Sequence, residues 1–148
     1  VLAVSDQYGA VHAPGGIDLA ALEGHVDAHG SVVGFAGADA VDPDLVLELD
    51  VDVLVPAALE NQIHEVNMKD IQARVIVEGA NAPTTQEADK YLSDQGVIII
   101  PDILANAGGV IVSYFEWLQG RETQFYTEAE VFRLLLEKMK STSLSTNM

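Results

Sequence analysis

Apolar positions along the chain fall in short runs separated by helix-like spacing. Val1-Leu2-Ala3-Val4 is a valine-rich run that predicts a buried strand, stopped at Ser5-Asp6 and followed by a turn at Gly9. Val51, Val53, Leu54 and Val55 predict a second strand, stopped by Pro56, and Val75-Ile76-Val77 a third, ending at Glu78-Gly79. The β-branched run from Val97 to Ile100 is the plainest buried strand, and Pro101 ends it. Between these runs the period changes. Asp18 is placed to cap a helix whose stripe is Leu19, Leu22 and Val26, up to Gly30. Asp42-Pro43 reads as a cap plus a proline in the first helical position, opening a short helix through Leu49. A short polar helix is expected around Gln62 to Met68. Thr84 with Glu87 reads as a capping box for a helix to Gln95, with Gly96 as its C-terminal cap. A helix from about Gly109 to Gln119 should end in a turn at Gly120. Thr127 with Glu130 is a second capping box, starting a helix to about Lys140. Strands without clean alternation, separated by helices, predict an α/β domain whose doubly wound parallel sheet is covered on both faces. One domain is expected over residues 1–140, with a serine- and threonine-rich frayed tail over 141–148.

Composition sharpens this picture by exclusion. With 148 residues, of which 49% are hydrophobic, the chain can bury a core. Cysteine is absent, which rules out disulfides, thiolate metal sites and cysteine nucleophiles and fits a reducing, cytoplasmic setting. No apolar run approaches the roughly 20 residues that span a bilayer, and the first four residues lack the basic flank of a signal peptide. The net charge is −16, from 23 acidic and 7 basic side chains. Such a surface repels nucleic acid and anionic membrane. It suits either an acidic cytoplasmic protein or one that works in a salt-rich cytoplasm, where ionic strength screens the repulsion. Four lysines against twelve aspartates lean toward the second.

Ligands of an open parallel sheet bind beyond the carboxyl ends of its strands. The unusual loops of this chain fall there: Ser5-Asp6, Pro56 to Asn61, Glu78 to Asn81, and Pro101 to Gly109. Small residues let a planar ligand approach the backbone, and asparagines offer uncharged donors and acceptors suited to an amide or a sugar hydroxyl. Asp6 is the most telling residue. An acid at the end of the second strand of a dinucleotide-binding sheet accepts hydrogen bonds from ribose hydroxyls, about 20 residues beyond a glycine fingerprint. That fingerprint does not occur in these residues, so its strand is expected just before Val1. Plainer readings compete at each position. Asp6 could merely start a turn, Gly108-Gly109 could be a turn, and Asn61, Asn81 and Asn106 could be caps. His12, His25, His29 and His64 form no metal-ligand pattern, so no metal is expected. Lys69, Lys90, Lys138 and Lys140 sit on polar helix positions, unsuited to a depressed catalytic amine. Ser113 has no partnering histidine and acid for a hydrolase triad.

At these loops the sequence resembles the glutamate dehydrogenases of the Glu/Leu/Phe/Val dehydrogenase family. The matching stretches are Pro56 to Ile63, Val77 to Thr85, and Pro101 to Trp117, which reads PDILANAGGVIVSYFEW. The resemblance covers roughly residues 1 to 140 and implies a Rossmann-like, doubly wound parallel sheet lacking its first, glycine-loop strand. It implies NAD or NADP as cofactor, with Ser5 and Asp6 at the adenosine ribose and Ala57 and Ala58 passing the adenosine half. Asn81 would meet the nicotinamide ribose, Asn106 the carboxamide, and Ser113 the substrate's side-chain carboxylate, while Gly108 and Gly109 leave room. The charge on Asp6 favours NAD, since a second anion would repel the 2′-phosphate of NADP. The implied reaction is reversible oxidative deamination of L-glutamate to 2-oxoglutarate and ammonia, in a parent that is a homo-hexamer. In the family, the lysine and aspartate that move protons belong to a preceding domain. No catalytic residue is therefore expected here, and the isolated chain should be inactive. Ile111 and Ala82 depart from the family's threonine and glycine, as tolerable packing changes. Two alternatives follow: a shortened nucleotide-binding or assembly module, and a sheet with a gap. In the 3-2-1-4-5-6 order the absent strand lies between the first two strands predicted here, so the domain must close over the gap, expose edges, or pair with another chain.

Overall fold

Residues 1–122 and 125–145 are described by the computed structural model. Strands β1 (Ala3–Asp6), β2 (Gly9–His12) and β3 (Asp39–Val41) form an antiparallel sheet in that order. Asp6 closes the β1–β2 hairpin: its Oδ1 accepts the backbone N–H of Tyr8 at 2.8 Å and of Gly9 at 3.1 Å. A Cβ on Gly9 would lie 2.8 Å from a Val33 methyl, so glycine is required for the close approach. Helix α1 (Leu19–His29) crosses between β2 and β3. Asp18 caps it by accepting from Ala20 and Ala21, and Gly30 ends it at φ 76°. Val11, Ile17, Leu22 and Val32 form the small core beneath.

The second sheet is parallel, in the order β4 (Val53–Leu54), β5 (Val75–Val77), β6 (Ile98–Ile100). Helix α2 (Pro43–Leu47) precedes β4, with Asp42 as its cap and Pro43 in its first turn. Helix α3 (Gln86–Asp94) links β5 to β6 and buries Ala88 and Leu92 against Leu54, Ile63, Ile71, Ala73 and Ile76, the main core. The short α4 (Asp102–Ala105) leads into α5 (Gly108–Glu122) and α6 (Glu128–Ser145).

Several expectations are corrected. The first predicted strand lies in an antiparallel sheet rather than the parallel one, paired with β2, which in turn pairs with β3, and its apolar run announced neither. Within the parallel sheet Ile76 is fully buried, whereas Val53, Val55 and Ile98 are 51%, 55% and 62% exposed. Gln62 to Met68 forms successive turns and no helix. Asn67 competes with helical bonding there: its Oδ1 takes the His64 N–H and its amide donates to the Gln62 carbonyl, both at 2.8 Å. Thr85 caps α3, through its bond from Ala88, whereas the Thr84 hydroxyl is buried without a partner. Helix α5 passes through Gly120 without a turn. Helix α6 starts at the expected Thr127–Glu130 box but continues to Ser145, and the last three positions of the expected tail lie outside the described residues.

The two sheets are not paired with each other. β1 ends one sheet and β4 ends the other, and a groove of about 880 Å³ lies between them, lined by Val1 to Ser5 on one side and Val51 to Ala58 on the other.

Candidate cofactor-facing site

The loops leaving β4, β5 and β6 converge through backbone contacts. Ala80 donates to the Pro56 carbonyl at 3.0 Å, and Asn61 donates to the Ala82 carbonyl at 2.9 Å. A Cβ on Gly79 would sit 3.0 Å from the Ala57 Cβ, so glycine lets these two loops touch. Asn61 and Ala82 both adopt left-handed backbone, at φ 53° and 43°. Asparagine tolerates that conformation and alanine does not, so Ala82 is more than a packing change.

Two carboxylates tie the β5 loop to the β6 loop. Glu78 is buried, 7% exposed, and its backbone N–H donates to the Ile100 carbonyl at 3.0 Å. Its Oε2 accepts the N–H of Asp102 at 3.0 Å, and Oδ2 of Asp102 accepts the N–H of Ala82 at 2.8 Å. This clamp holds Asn81 beside Asn106, whose amide donates to the Asn81 Oδ1 at 2.8 Å. The remaining amide donors of Asn81 and the Asn106 carbonyl have no protein partner among the described residues.

The asparagine pair borders a hollow of about 780 Å³ together with Ala58, Gly79, Gly109 and Ser113. Glu60 supplies its charge, and no lysine or histidine is among the residues lining it. Such a surface can seat a flat amide-bearing ring and hydrogen-bond sugar hydroxyls, and Glu60 is the one ionisable side chain lining it. Four of the sequence-predicted site residues, Ala58, Asn81, Asn106 and Ser113, are thus brought together. Ser5 and Ala57 line the inter-sheet groove instead, with Ala58 bordering both spaces.

Asp6 turns inward. Besides the hairpin bonds, its Oδ2 accepts the N–H of Val32 at 2.8 Å. Burial alone would raise its pKa, but the hydrogen bonds from Val32, Tyr8, Ser31 and Gly9 outweigh it and hold the carboxyl below its ordinary value. The turn reading of Asp6 is therefore realised in the structure. Glu78 and Asp102 escaped the sequence reading as functional residues. They are 24 positions apart, and the only local sign was an acid within two residues of the end of each of two strands.

A parallel sheet with paired amides and a ligand-sized hollow at its loop end makes this an α/β unit with a candidate binding face. Residues 1–146 match the family model of Glutamate/Leucine/Phenylalanine/Valine dehydrogenase, and the chain belongs to that family. It is 52% identical over 132 residues to the NADP-specific glutamate dehydrogenase A1 of Halobacterium salinarum, covering 88% of this chain and 32% of that one. It is 45% identical over 141 residues to the NAD-specific glutamate dehydrogenase of Staphylococcus aureus strain COL, covering 95% of this chain and 34% of that one. The hetero-hexameric glutamate dehydrogenase of Thermus thermophilus in its Leu-bound form superimposes with a TM-score of 0.85 at 32% identity, over 95% of this chain and 33% of that one. The chain therefore spans about a third of the length of the relatives it matches. Among the described residues no helix is long and apolar enough to cross a membrane.

Proposed function

We propose that this chain is the cofactor- and substrate-facing part of a cytoplasmic NAD(P)-dependent enzyme that oxidatively deaminates L-glutamate to 2-oxoglutarate and ammonia. The observation that carries this reading is the Asn81–Asn106 pair, 2.8 Å apart at the loop end of the parallel sheet. The residues fit the nicotinamide half of the cofactor: uncharged amides to bind, and glycines where a Cβ would crowd the loops. The dinucleotide supplies the hydride acceptor. Asn106 would hold the carboxamide and thereby the face of the ring, and Asn81 the adjoining ribose. Ser113 would bind the substrate's side-chain carboxylate and fix the substrate beside the ring, while Gly108 and Gly109 keep the space clear. Ser5 and the acceptor capacity left on Asp6 would meet the adenosine ribose, with Ala57 and Ala58 passing the adenine side. The negative charge on Asp6 favours NAD over NADP. Assembly into a homo-hexamer belongs to the same reading.

The family resemblance puts the proton-moving lysine and aspartate in another domain, so the 148 residues alone should not turn over glutamate. The test is a titration of the isotopically labelled chain with NAD, followed by NMR, beside a glutamate-dependent NAD reduction assay. The side-chain amide signals of Asn81 and Asn106 are expected to shift at millimolar NAD, with no turnover. Shifts confined to other residues would end the site assignment, and turnover would end the claim of inactivity. Submillimolar affinity would instead favour a nucleotide-binding module that works without catalysis.

A further inference from the structure

Helix α1 carries two histidines one turn apart, His25 and His29, and both rings are held by backbone carbonyls. Nε2 of His25 donates to the Val33 carbonyl at 3.0 Å, and Nδ1 of His29 donates to the His25 carbonyl at 2.9 Å. A carbonyl only accepts, so each neutral ring carries its proton on the bonded nitrogen. That leaves one lone pair on Nδ1 of His25 and one on Nε2 of His29. The rings stack with centroids 4.3 Å apart and planes 20° apart, and Phe35 meets His25 edge-on at 5.7 Å. A ring N–H given to a backbone carbonyl is the arrangement that orients metal-binding imidazoles and fixes their tautomer. Two histidines four apart on one helix face can hold one ion between them. The spacing in the sequence alone did not call for a metal; the two ring-to-carbonyl bonds are what the structure adds.

The geometry points to a binding site for one divalent transition ion of the zinc class, held by Nδ1 of His25 and Nε2 of His29. Imidazole nitrogen selects such an ion over calcium or magnesium, which take oxygen ligands. The dimensions allow it. A tetrahedral ion with bonds of about 2.0–2.1 Å spans two nitrogens about 3.3 Å apart, and rings stacked at 4.3 Å reach that by tilting toward each other. Among the described residues no group of three or more metal-ligating side chains occurs, so water completes the shell and the site is an open chelate. Charge favours the ion. His29 lies in the last turn of α1, where the carbonyl end of the helix attracts a cation. The first 68 residues hold 12 acidic side chains and no lysine or arginine, so no fixed cation of this segment opposes it. Neither histidine borders the hollow of the asparagine pair, and the proposal is independent of the cofactor reading.

The test titrates the full chain, labelled with ¹⁵N, with zinc chloride in a non-chelating buffer, and follows the ring nitrogens of its histidines by NMR. Nδ1 of His25 and Nε2 of His29 are expected to shift together, at submillimolar zinc and one ion per chain. The rings of His12 and His64 should stay in place. Calcium chloride at the same concentration should move none of the four rings, which separates imidazole binding from condensation of cations on the acidic surface. His25→Gln and His29→Gln should each weaken zinc binding by about tenfold or more. His29 is exposed and its replacement leaves the His25–Val33 bond and the buried Leu22 untouched, so that variant keeps the test decisive if His25→Gln fails to fold. No shift at millimolar zinc, a shift of one ring of the pair alone, equal shifts at His12 or His64, an equal response to calcium, or unchanged affinity in His29→Gln would overturn the proposal. So would coordination through Nε2 of His25 or Nδ1 of His29, since the carbonyl bonds would then not have prepared the site.

Discussion

Ala82 holds a left-handed backbone at φ 43° in the loop that presents Asn81. A Cβ in that conformation costs about 1 kcal/mol or more, partly offset by the greater unfolded-state freedom of glycine. Ala82→Gly is accordingly expected to stabilise the chain by roughly 0.5 kcal/mol, measured by urea unfolding; a loss of stability would show that the strain is not real. Glu78 should behave oppositely. Glu78→Ala leaves the Asp102 N–H without its acceptor in a buried setting, an expected loss of about 1–3 kcal/mol, whereas Glu78→Gln keeps an acceptor and should lose clearly less. Equal losses in the same unfolding experiment would deny the clamp. Asp6 carries a pH prediction. Its folded pKa is lowered below the ordinary 3.8, so its contribution is present above that value and is lost as pH falls through the folded value. Asp6→Asn should therefore be less stable at neutral pH, and its stability should fall less steeply below about pH 4 than that of the parent. Parallel melting-temperature curves across that range would contradict the assignment.

Elements with local signals were legible in the sequence. Asp18, Asp42-Pro43 and Thr127–Glu130 act within one turn, and each opens a helix where its spacing requires. β2 and β3 were not legible, because what makes them strands is pairing between distant residues, such as Ala10 with Val41, in a stretch of glycine and alanine with weak periodicity. The same distance hid the Glu78–Asp102 clamp, whereas the loop asparagines and glycines that border the hollow stood out by residue type alone. The one-residue displacement of the α3 cap shows how close neighbours compete: Thr84 and Thr85 both have the chemistry, and the bridge between Ile63 and Thr84 takes the first. This yields a paired prediction. Thr85→Ala should cost about 1 kcal/mol by removing the cap. Thr84→Val, which replaces a buried hydroxyl that has no partner, should be neutral or stabilising. Denaturant midpoints in the reverse order would place the cap at Thr84 after all.

At the scale of the whole molecule, charge decides more than any pair of residues. The ion pairs shown among the described residues, Arg74–Asp52 at 3.5 Å and Arg133–Glu137 at 2.8 Å, are both exposed. Exposed pairs of this kind contribute about 0–1 kcal/mol each, so screening them removes little. Screening the repulsion among 23 acidic side chains, against 7 basic ones, removes much more. Raising salt from 0.1 M to 1 M shortens the screening length from about 10 Å to about 3 Å. The net effect should be stabilising. A gain of about 1–2 kcal/mol would raise the melting temperature of a chain this size by on the order of 5 °C. Thermal unfolding in potassium chloride between 0.1 and 3 M checks this. Screening predicts a rise that is steep below 1 M and then flattens, whereas exclusion of salt from apolar surface predicts a steady rise throughout. A flat curve from the start would leave the acidic surface as a solubility device, whereas the steep early rise would make it an adaptation to high salt.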